Sequence, residues 1–238
     1  SVRLGQLFAD PLLIEAASYQ RSYAWTAHEA GRLLDDVTSA MEAEGEGEGG
    51  DSADYFLGTM LFIDADRAAL HRDGWPLVGP ARGFEVVDGL QRLTTLTILF
   101  CVLRDLDVEE HATPHAGLPN TIRAGAGSSE RPRLMLRGTD EKFFQAYVRG
   151  PGACRSMPED DRLSPAEQRI LEVREHYLAA LVDLDAAQRH RIAEFLLEHC
   201  AVVLVATVGI DRAHRMFMVL NDTGKPLARN DILKAELL

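Results

Sequence analysis

Val87-Asp88-Gly89-Leu90-Gln91-Arg92-Leu93-Thr94-Thr95-Leu96 is the stretch from which the rest of the chain can be read. Just upstream, Phe84 to Val87 reads as a strand. Just downstream, Leu90 to Leu106 carries apolar residues on every side, as a helix buried all round must. Asp88-Gly89 supplies the turn between them, so the stretch is a strand-to-helix junction. It places a short acid, a glycine, an amide, a guanidinium and two hydroxyls at the start of one buried helix.

Working outward, Tyr55 to Ile63 is rich in aromatic and aliphatic residues and reads as the partner strand of a hairpin with a long, Gly- and Pro-rich loop. Gly58 within it marks a bulge or a close backbone approach. Further upstream, Val2 to Phe8 reads as a short helix and Pro11 to Glu15 as an extended piece. Thr26 and Glu29 form a capping box ahead of Ala30, Leu33, Leu34, Val37 and Met41, whose spacing predicts an amphipathic helix. That helix is expected to fade into a flexible acidic loop near residues 43–54, built around Glu44-Gly45-Glu46-Gly47-Glu48-Gly49-Gly50.

Downstream, Val108 to Pro132 reads as loop, with a mobile Gly125 to Ser129. Helices are expected at Asp140 to Val148, after the Ser164-Pro165-Ala166-Glu167 capping box, and through Ile192 to Leu197. Ala201 to Val208 is the expected central strand. A helix through Met216, Phe217, Val219 and Leu220 follows, then a turn at Asn221 to Pro226 and a last helix capped by Asn230. Strands and helices in this order predict an α+β fold in a single domain over residues 1–238. The last apolar pattern is still running at Leu238, so the chain is expected to be a piece of a longer protein.

Composition narrows the function classes. No apolar run approaches the roughly 20 residues that cross a bilayer, and no leader opens the chain, so a cytoplasmic protein without membrane contact is expected. Cys101, Cys154 and Cys200 lie far apart and read as buried free thiols, not as a disulfide framework or a metal site. His111 and His115 share a helical spacing, but Pro114 between them argues against a helix. The net charge of −12 is wrong at first sight for a nucleic-acid binder. However, ten acidic residues and no Lys or Arg lie between Leu33 and Asp66, while Asn120 to Arg155 holds seven basic residues against three acidic ones. Arg131, Arg133 and Arg137 are therefore candidates for a local DNA-binding face; solvated surface charge is the plain alternative.

The junction itself has the makings of an anion site. Free N–H groups at a helix N-terminus point at phosphate, Gly89 permits a tight approach, and Arg92 can grip two phosphate oxygens. Asp88 is a candidate to hold a magnesium ion or orient an attacking water, and Gln91 to position that water. A capped helix with surface polar residues is the plain alternative. Gly224-Lys225-Pro226 is no Walker A motif, so any nucleotide hydrolysis must use a different kind of site. No His and Asn cluster of the HNH nuclease type is present either.

Four segments in order resemble the N-terminal domain of GmrSD- and SspE-type modification-dependent restriction proteins, a family related to ParB and sulfiredoxin folds. Val87 to Leu96 looks like its "DGQQRLTTL" signature and Tyr19-Gln20-Arg21-Ser22-Tyr23-Ala24-Trp25 like its "YQRxYxW" motif. Tyr55-Phe56-Leu57-Gly58-Thr59 resembles its "yfLGs" strand, and Phe217 to Lys234 its closing motif. The resemblance spans essentially the whole chain. It implies a ParB/sulfiredoxin-like small sheet with a predominantly helical surround. It also implies hydrolysis of nucleoside triphosphate, GTP or ATP with Mg2+, coupled to sensing of modified DNA in anti-phage restriction, with SspE-like phosphorothioate sensing the preferred subtype. In such proteins a nuclease lies in a C-terminal domain, and a homo-oligomer is compatible with the resemblance.

Carried over position by position, the resemblance implies catalytic roles for Asp88, Gln91 and Arg92 and a metal contact for Asp88. It implies nucleotide contacts for Gly89, Thr94, Thr95, Tyr19, Gln20, Arg21, Asn221 and Lys225. Tyr19 and Arg21 are equally suited to stacking on and bonding to a nucleic-acid base. Tyr23 and Trp25 are expected mainly to fix the segment, and with Tyr19 and Arg21 could supply the apolar, cationic pocket that a sulfur-substituted phosphate requires. Two positions depart from the pattern: Leu90 stands at the family's first glutamine, and Ala17 at its usual proline. Leu90 keeps a second function open, a ParB-like clamp that binds nucleotide or DNA without significant hydrolysis. A sulfiredoxin-like redox enzyme would need a reactive cysteine beside the phosphate site, and Cys101 is expected deep in a buried helix.

Overall fold

The computed structural model describes residues 1–9, 12–46, 54–65, 82–124, 130–159 and 162–222. In chain order the elements are β1 (Val2–Arg3), α1 (Leu4–Leu7), β2 (Leu12–Ala16), α2 (Ala27–Glu46), β3 (Tyr55–Ala65), β4 (Arg82–Asp88) and α3 (Leu90–Glu109). Then come α4 (Leu118–Ile122), β5 (Arg123–Ala124), β6 (Arg131–Pro132), β7 (Leu134–Met135), α5 (Gly138–Phe144), α6 (Pro165–Leu181), α7 (Ala186–Glu198), β8 (Cys200–Thr207) and α8 (Ile210–Asp222). A π-helical turn over Gln145–Arg149 extends α5.

Six strands form one mixed sheet in the order β1-β8-β3-β4-β2-β7, with helices around it, and the fold is α+β. β3 and β4 pair antiparallel, as the hairpin reading requires, and β8 lies parallel to β3 on its other side. β8 thus sits between β3 and the two-residue β1, one place in from the sheet edge. The centre belongs to the β3–β4 hairpin that leads into α3.

α3 is the axis of the core. Leu93, Leu96, Ile98, Leu99, Phe100 and Val102 are completely buried, and the helix packs against α4, α6 and α7. An apolar residue on every side is stable here because every side meets protein. Burial also silences the thiols: Cys101 is fully enclosed and its thiol is pushed up to about 11, which removes the nucleophile a redox reading would need. No group of three or more His, Cys, Asp or Glu side chains suited to a metal occurs among the described residues, and no described helix is long and apolar enough to cross a membrane.

Two expectations are corrected. The segment 108–132 is not all loop: it folds into α4 and the β5–β6 pair, because Leu118, Thr121 and Ile122 are buried against the core. At the acidic segment 43–54, α2 runs on through Glu46, and Asp54 accepts an ion pair from Arg3 at 3.0 Å. Residues 47–53, 125–129 and 223–238 lie outside the described residues, so the expected acidic loop, the glycine-rich loop and the last helix fall there.

Candidate functional site

β4 carries Asp88 at the C-terminal end of a central strand, and Gly89 turns the chain at φ +104° into α3. Only a residue without Cβ takes that angle easily, and a Cβ on Gly89 would meet Met60 Cγ at 2.8 Å. Gly89 is the N-cap of α3 and supplies no side-chain acceptor, so the amides of the first turn have no side-chain cap there. Their positive end faces an open cleft of about 560 Å³, within the range of small-ligand sites.

Three sequence-distant segments wall this cleft. The first is the junction, with Asp88, Gly89, Gln91 and Arg92; the second is the Tyr19 to Trp25 segment; the third is α8, with His214 and Phe217. The half-buried Arg92 guanidinium lies over the β3 bulge at Gly58. There φ is +103°, and a Cβ would come within 3.3 Å of Nη1. Gly58 therefore provides both the bulge and the close approach that its position in the strand suggested. Arg92 Nη1 donates to the Thr59 carbonyl at 3.4 Å, and burial lowers its pKa while nearby Asp88 opposes that shift. Arg21, from the tyrosine segment, is exposed and also lines the cleft. Asp88 is the single carboxylate in the described lining of the cleft.

The tyrosine segment is pinned to the junction. Gln20 Nε2 donates to the Val87 carbonyl at 2.6 Å. Gln91 Oε1 accepts from the backbone N–H groups of Ala24 at 2.7 Å and Trp25 at 3.3 Å, and its Nε2 donates to the Ser22 carbonyl at 3.4 Å. The Gln91 amide is thus committed to the backbone, which corrects its expected part in positioning a water. Tyr23 turns inward, 6 % exposed, and its hydroxyl shares a 2.6 Å bond with Thr95 Oγ1; it fixes the segment and does not line the cleft. Trp25 is half-buried in the cleft wall.

Several other expected contacts are not brought to the cleft. Thr94 and Thr95 are buried, and their hydroxyls donate to the Leu90 and Gln91 carbonyls one turn back, so they are helix-internal and not nucleotide ligands. Arg133 is likewise no DNA contact. It is 1 % exposed, and its guanidinium donates to the carbonyls of Asn120 at 3.0 Å and Leu12 at 2.7 Å. Arg137 binds the Ala16 carbonyl and stands 3.6 Å from Glu85, while Arg131 sits half-buried on β6; the three arginines form no common face. Asn221 falls in the last turn of α8, and Lys225 lies outside the described residues.

The sequence reading missed His214. Its ring stacks near-parallel on Tyr19, with centroids 6.4 Å apart and 24° between planes, and it lines the cleft. Its helical spacing from Phe217 was the available signal.

Fold and cleft together give an α+β domain with an open cleft at a helix N-terminus, built by a strand-to-helix junction and walled by an aromatic segment. A family model described as the N-terminal domain of the GmrSD restriction endonuclease matches residues 4–238, and the chain belongs to that family. No curated protein matches it. Membership places the domain in a restriction system.

Proposed function

We propose that the cleft binds a nucleoside triphosphate, GTP for preference, and hydrolyses it in response to modified DNA, phosphorothioated DNA among the candidates, to control a C-terminal nuclease. The observation that carries this reading is the convergence on one cleft of the uncapped N-terminus of a 20-residue helix, two arginines from segments far apart in the chain and one exposed carboxylate. Backbone N–H groups and guanidinium groups at such a position suit the oxygens of a phosphate chain.

The fit to magnesium is that of a phosphate-held ion. Mg2+ in such sites uses one or two protein carboxylates and takes its other ligands from phosphates and water. Asp88 is the carboxylate that would hold it, and the ion would supply charge neutralisation between phosphate oxygens. The chain's own residues do the rest. Arg92 and the first-turn amides bind and orient the phosphates, Arg21 reaches them from the tyrosine segment, and Gln20 and Gln91 keep that segment in place. Asp88 orients the attacking water, since Gln91 is engaged elsewhere.

The commitment of Gln91, together with the apolar Leu90, favours a second reading: a ParB-like clamp that binds nucleotide or DNA without significant turnover. Phosphate release by the purified chain with GTP, ATP and CTP, with plain or phosphorothioated duplex, separates the two. The enzyme reading expects release that duplex alters, abolished in Arg92→Ala. Binding without release under every condition leaves the clamp, and turnover unchanged in Arg92→Ala removes the site.

A further inference from the structure

A second cavity, of about 190 Å³, opens beside the cleft, and Gln20, Arg21, Leu90 and Gln91 line both. The sheet explains the placement. β2 runs parallel to β4 on one side and to β7 on the other, so the C-terminal ends of all three strands, at Ala16, Asp88 and Met135, lie together. The region beyond such ends is where parallel strands hold ligands, because side chains from several strands converge there. The buried lining is largely apolar, with Ala16, Ala17, Tyr23 and Leu136. The exposed lining carries Ser18, Ser22, Thr139 and the guanidinium groups of Arg21 and Arg137. Asp140 is the one carboxylate of the described lining, so two cations outweigh it.

Arg137 is anchored at one nitrogen only. Its Nε donates to the Ala16 carbonyl, whereas Nη2 stands 3.6 Å from Glu85, beyond hydrogen-bond reach, so the end of the guanidinium keeps donors for another acceptor. At about 190 Å³ the cavity is smaller than the roughly 300–1,000 Å³ of sites that enclose a whole small ligand, so it suits one charged group of a longer molecule. The family is one of restriction endonucleases, which act on DNA, and a backbone phosphate is a group that guanidinium groups and hydroxyls fit. We infer that this cavity is a subsite for a backbone phosphate of DNA, held by Arg137 and Arg21, and that Arg21 is the residue through which DNA acts on the nucleotide cleft. The inference rests on the nucleotide reading above and adds its regulation. Two anions that share one guanidinium compete for it, so duplex and triphosphate weaken each other, by the same factor in both directions.

Fluorescence anisotropy of the whole chain with a labelled short duplex, beside calorimetric titration with inorganic triphosphate, tests it. Arg137→Ala is expected to weaken duplex binding roughly tenfold, to lower its salt slope by about one, and to leave inorganic triphosphate binding unchanged. Arg92→Ala is expected to weaken the triphosphate and spare the duplex. Arg21→Ala weakens both and removes the coupling, which in the parent lowers triphosphate affinity by about fivefold or more at saturating duplex. Arg137→Ala also loses the bond to Ala16, so Arg137→Gln, which keeps a donor there, is measured with it, and unchanged triphosphate binding shows that the neighbouring cleft is intact. If both Arg137 variants bind duplex as the parent does, the subsite is refuted while the nucleotide cleft stands. If inorganic phosphate, at the concentration of the duplex phosphates, displaces the duplex completely, the cavity takes a free anion and the DNA assignment is overturned. Coupling that survives Arg21→Ala removes Arg21 as the link. If the parent binds duplex but no triphosphate, the nucleotide reading fails, and the Arg137 variants still decide the subsite.

Discussion

Replacing Gln91 in two ways separates a structural tie from a group that touches the reaction. Gln91→Ala deletes the acceptor that holds the Ala24 and Trp25 amides at 2.7 and 3.3 Å. An intramolecular hydrogen bond contributes about 0.5–1.5 kcal/mol net. Ala24 is exposed, so water recovers part of the loss, and the expected destabilisation is about 1–2 kcal/mol. Gln91→Glu keeps both acceptor bonds and makes them charge-assisted. It loses only the 3.4 Å donation to Ser22, the weakest of the three, and places a negative charge in the first turn of α3, where the helix dipole favours it. Urea unfolding followed by circular dichroism should therefore show a midpoint lowered by roughly 0.5 M in Gln91→Ala and unchanged or raised in Gln91→Glu. Inorganic triphosphate binding should fall in Gln91→Glu all the same, because the new charge faces the phosphates. Equal destabilisation by the two substitutions would refute the claim that Gln91 works as a backbone acceptor.

Gly58→Ala forces a side chain to φ +103° and sets its Cβ 3.3 Å from Arg92 Nη1. A loss of about 1–2 kcal/mol in unfolding and weaker inorganic triphosphate binding are expected together, and stability lost without any change in binding would uncouple Gly58 from Arg92. Gly89→Ala combines the same backbone strain with a 2.8 Å approach to the enclosed Met60, so about 2–4 kcal/mol should be lost. A thermal midpoint within a degree of the parent would contradict the geometry. At the start of α2, Glu29 accepts from the hydroxyl and the backbone N–H of Thr26, and these bonds hold its carboxyl below its ordinary pKa. A carboxylate with a depressed folded pKa contributes stability that is present above its unfolded pKa and lost as pH falls through the folded one. Glu29→Gln should flatten the acid limb of a stability–pH profile, and an unchanged limb would show that the cap contributes nothing to it.

How much of this was legible in sequence follows from which interactions are local. The hairpin into α3 and the Ser164/Glu167 capping box, both halves of which are formed, depend on residues close to one another in the chain. Their patterns survive in one dimension. Arg133, Arg149, Arg174 and Arg189 are all completely enclosed, and no count of charge along the chain distinguishes such a strut from a DNA contact. Their guanidinium groups go to distant partners: Arg189 to Asp107 at 2.7 Å, Arg174 to the Tyr147 and Ser156 carbonyls. Within the basic segment 120–155, Arg133 and Arg149 are spent inside the protein in this way, donating to the carbonyls of Asn120, Leu12 and Leu134. The Gln91 tie and the His214 ring escaped for the same reason, since each partner lies more than 60 residues away.

Leu90, the departure at the centre of the signature, bears on which chemistry survives here. Its side chain is 7 % exposed and belongs to the core, although it also reaches the floor of the cleft. A leucine there leaves the phosphate end with backbone amides, Arg92 and Arg21, none of which Leu90 displaces. The proposed binding therefore needs no amide at this position. The proposed hydrolysis asks more, because a water has to be oriented, and with Gln91 held by the backbone the proposal gives that duty to Asp88. Asp88→Asn separates the two steps. It removes a negative charge beside the phosphates, so metal-free binding of inorganic triphosphate should be as tight as in the parent or tighter. It also removes the carboxylate that orients water and would hold magnesium, so phosphate release from GTP should fall by at least about a hundredfold. Release within a few-fold of the parent would show that some other group orients the water, and would take Asp88 out of the catalytic site while leaving Arg92 in the binding one.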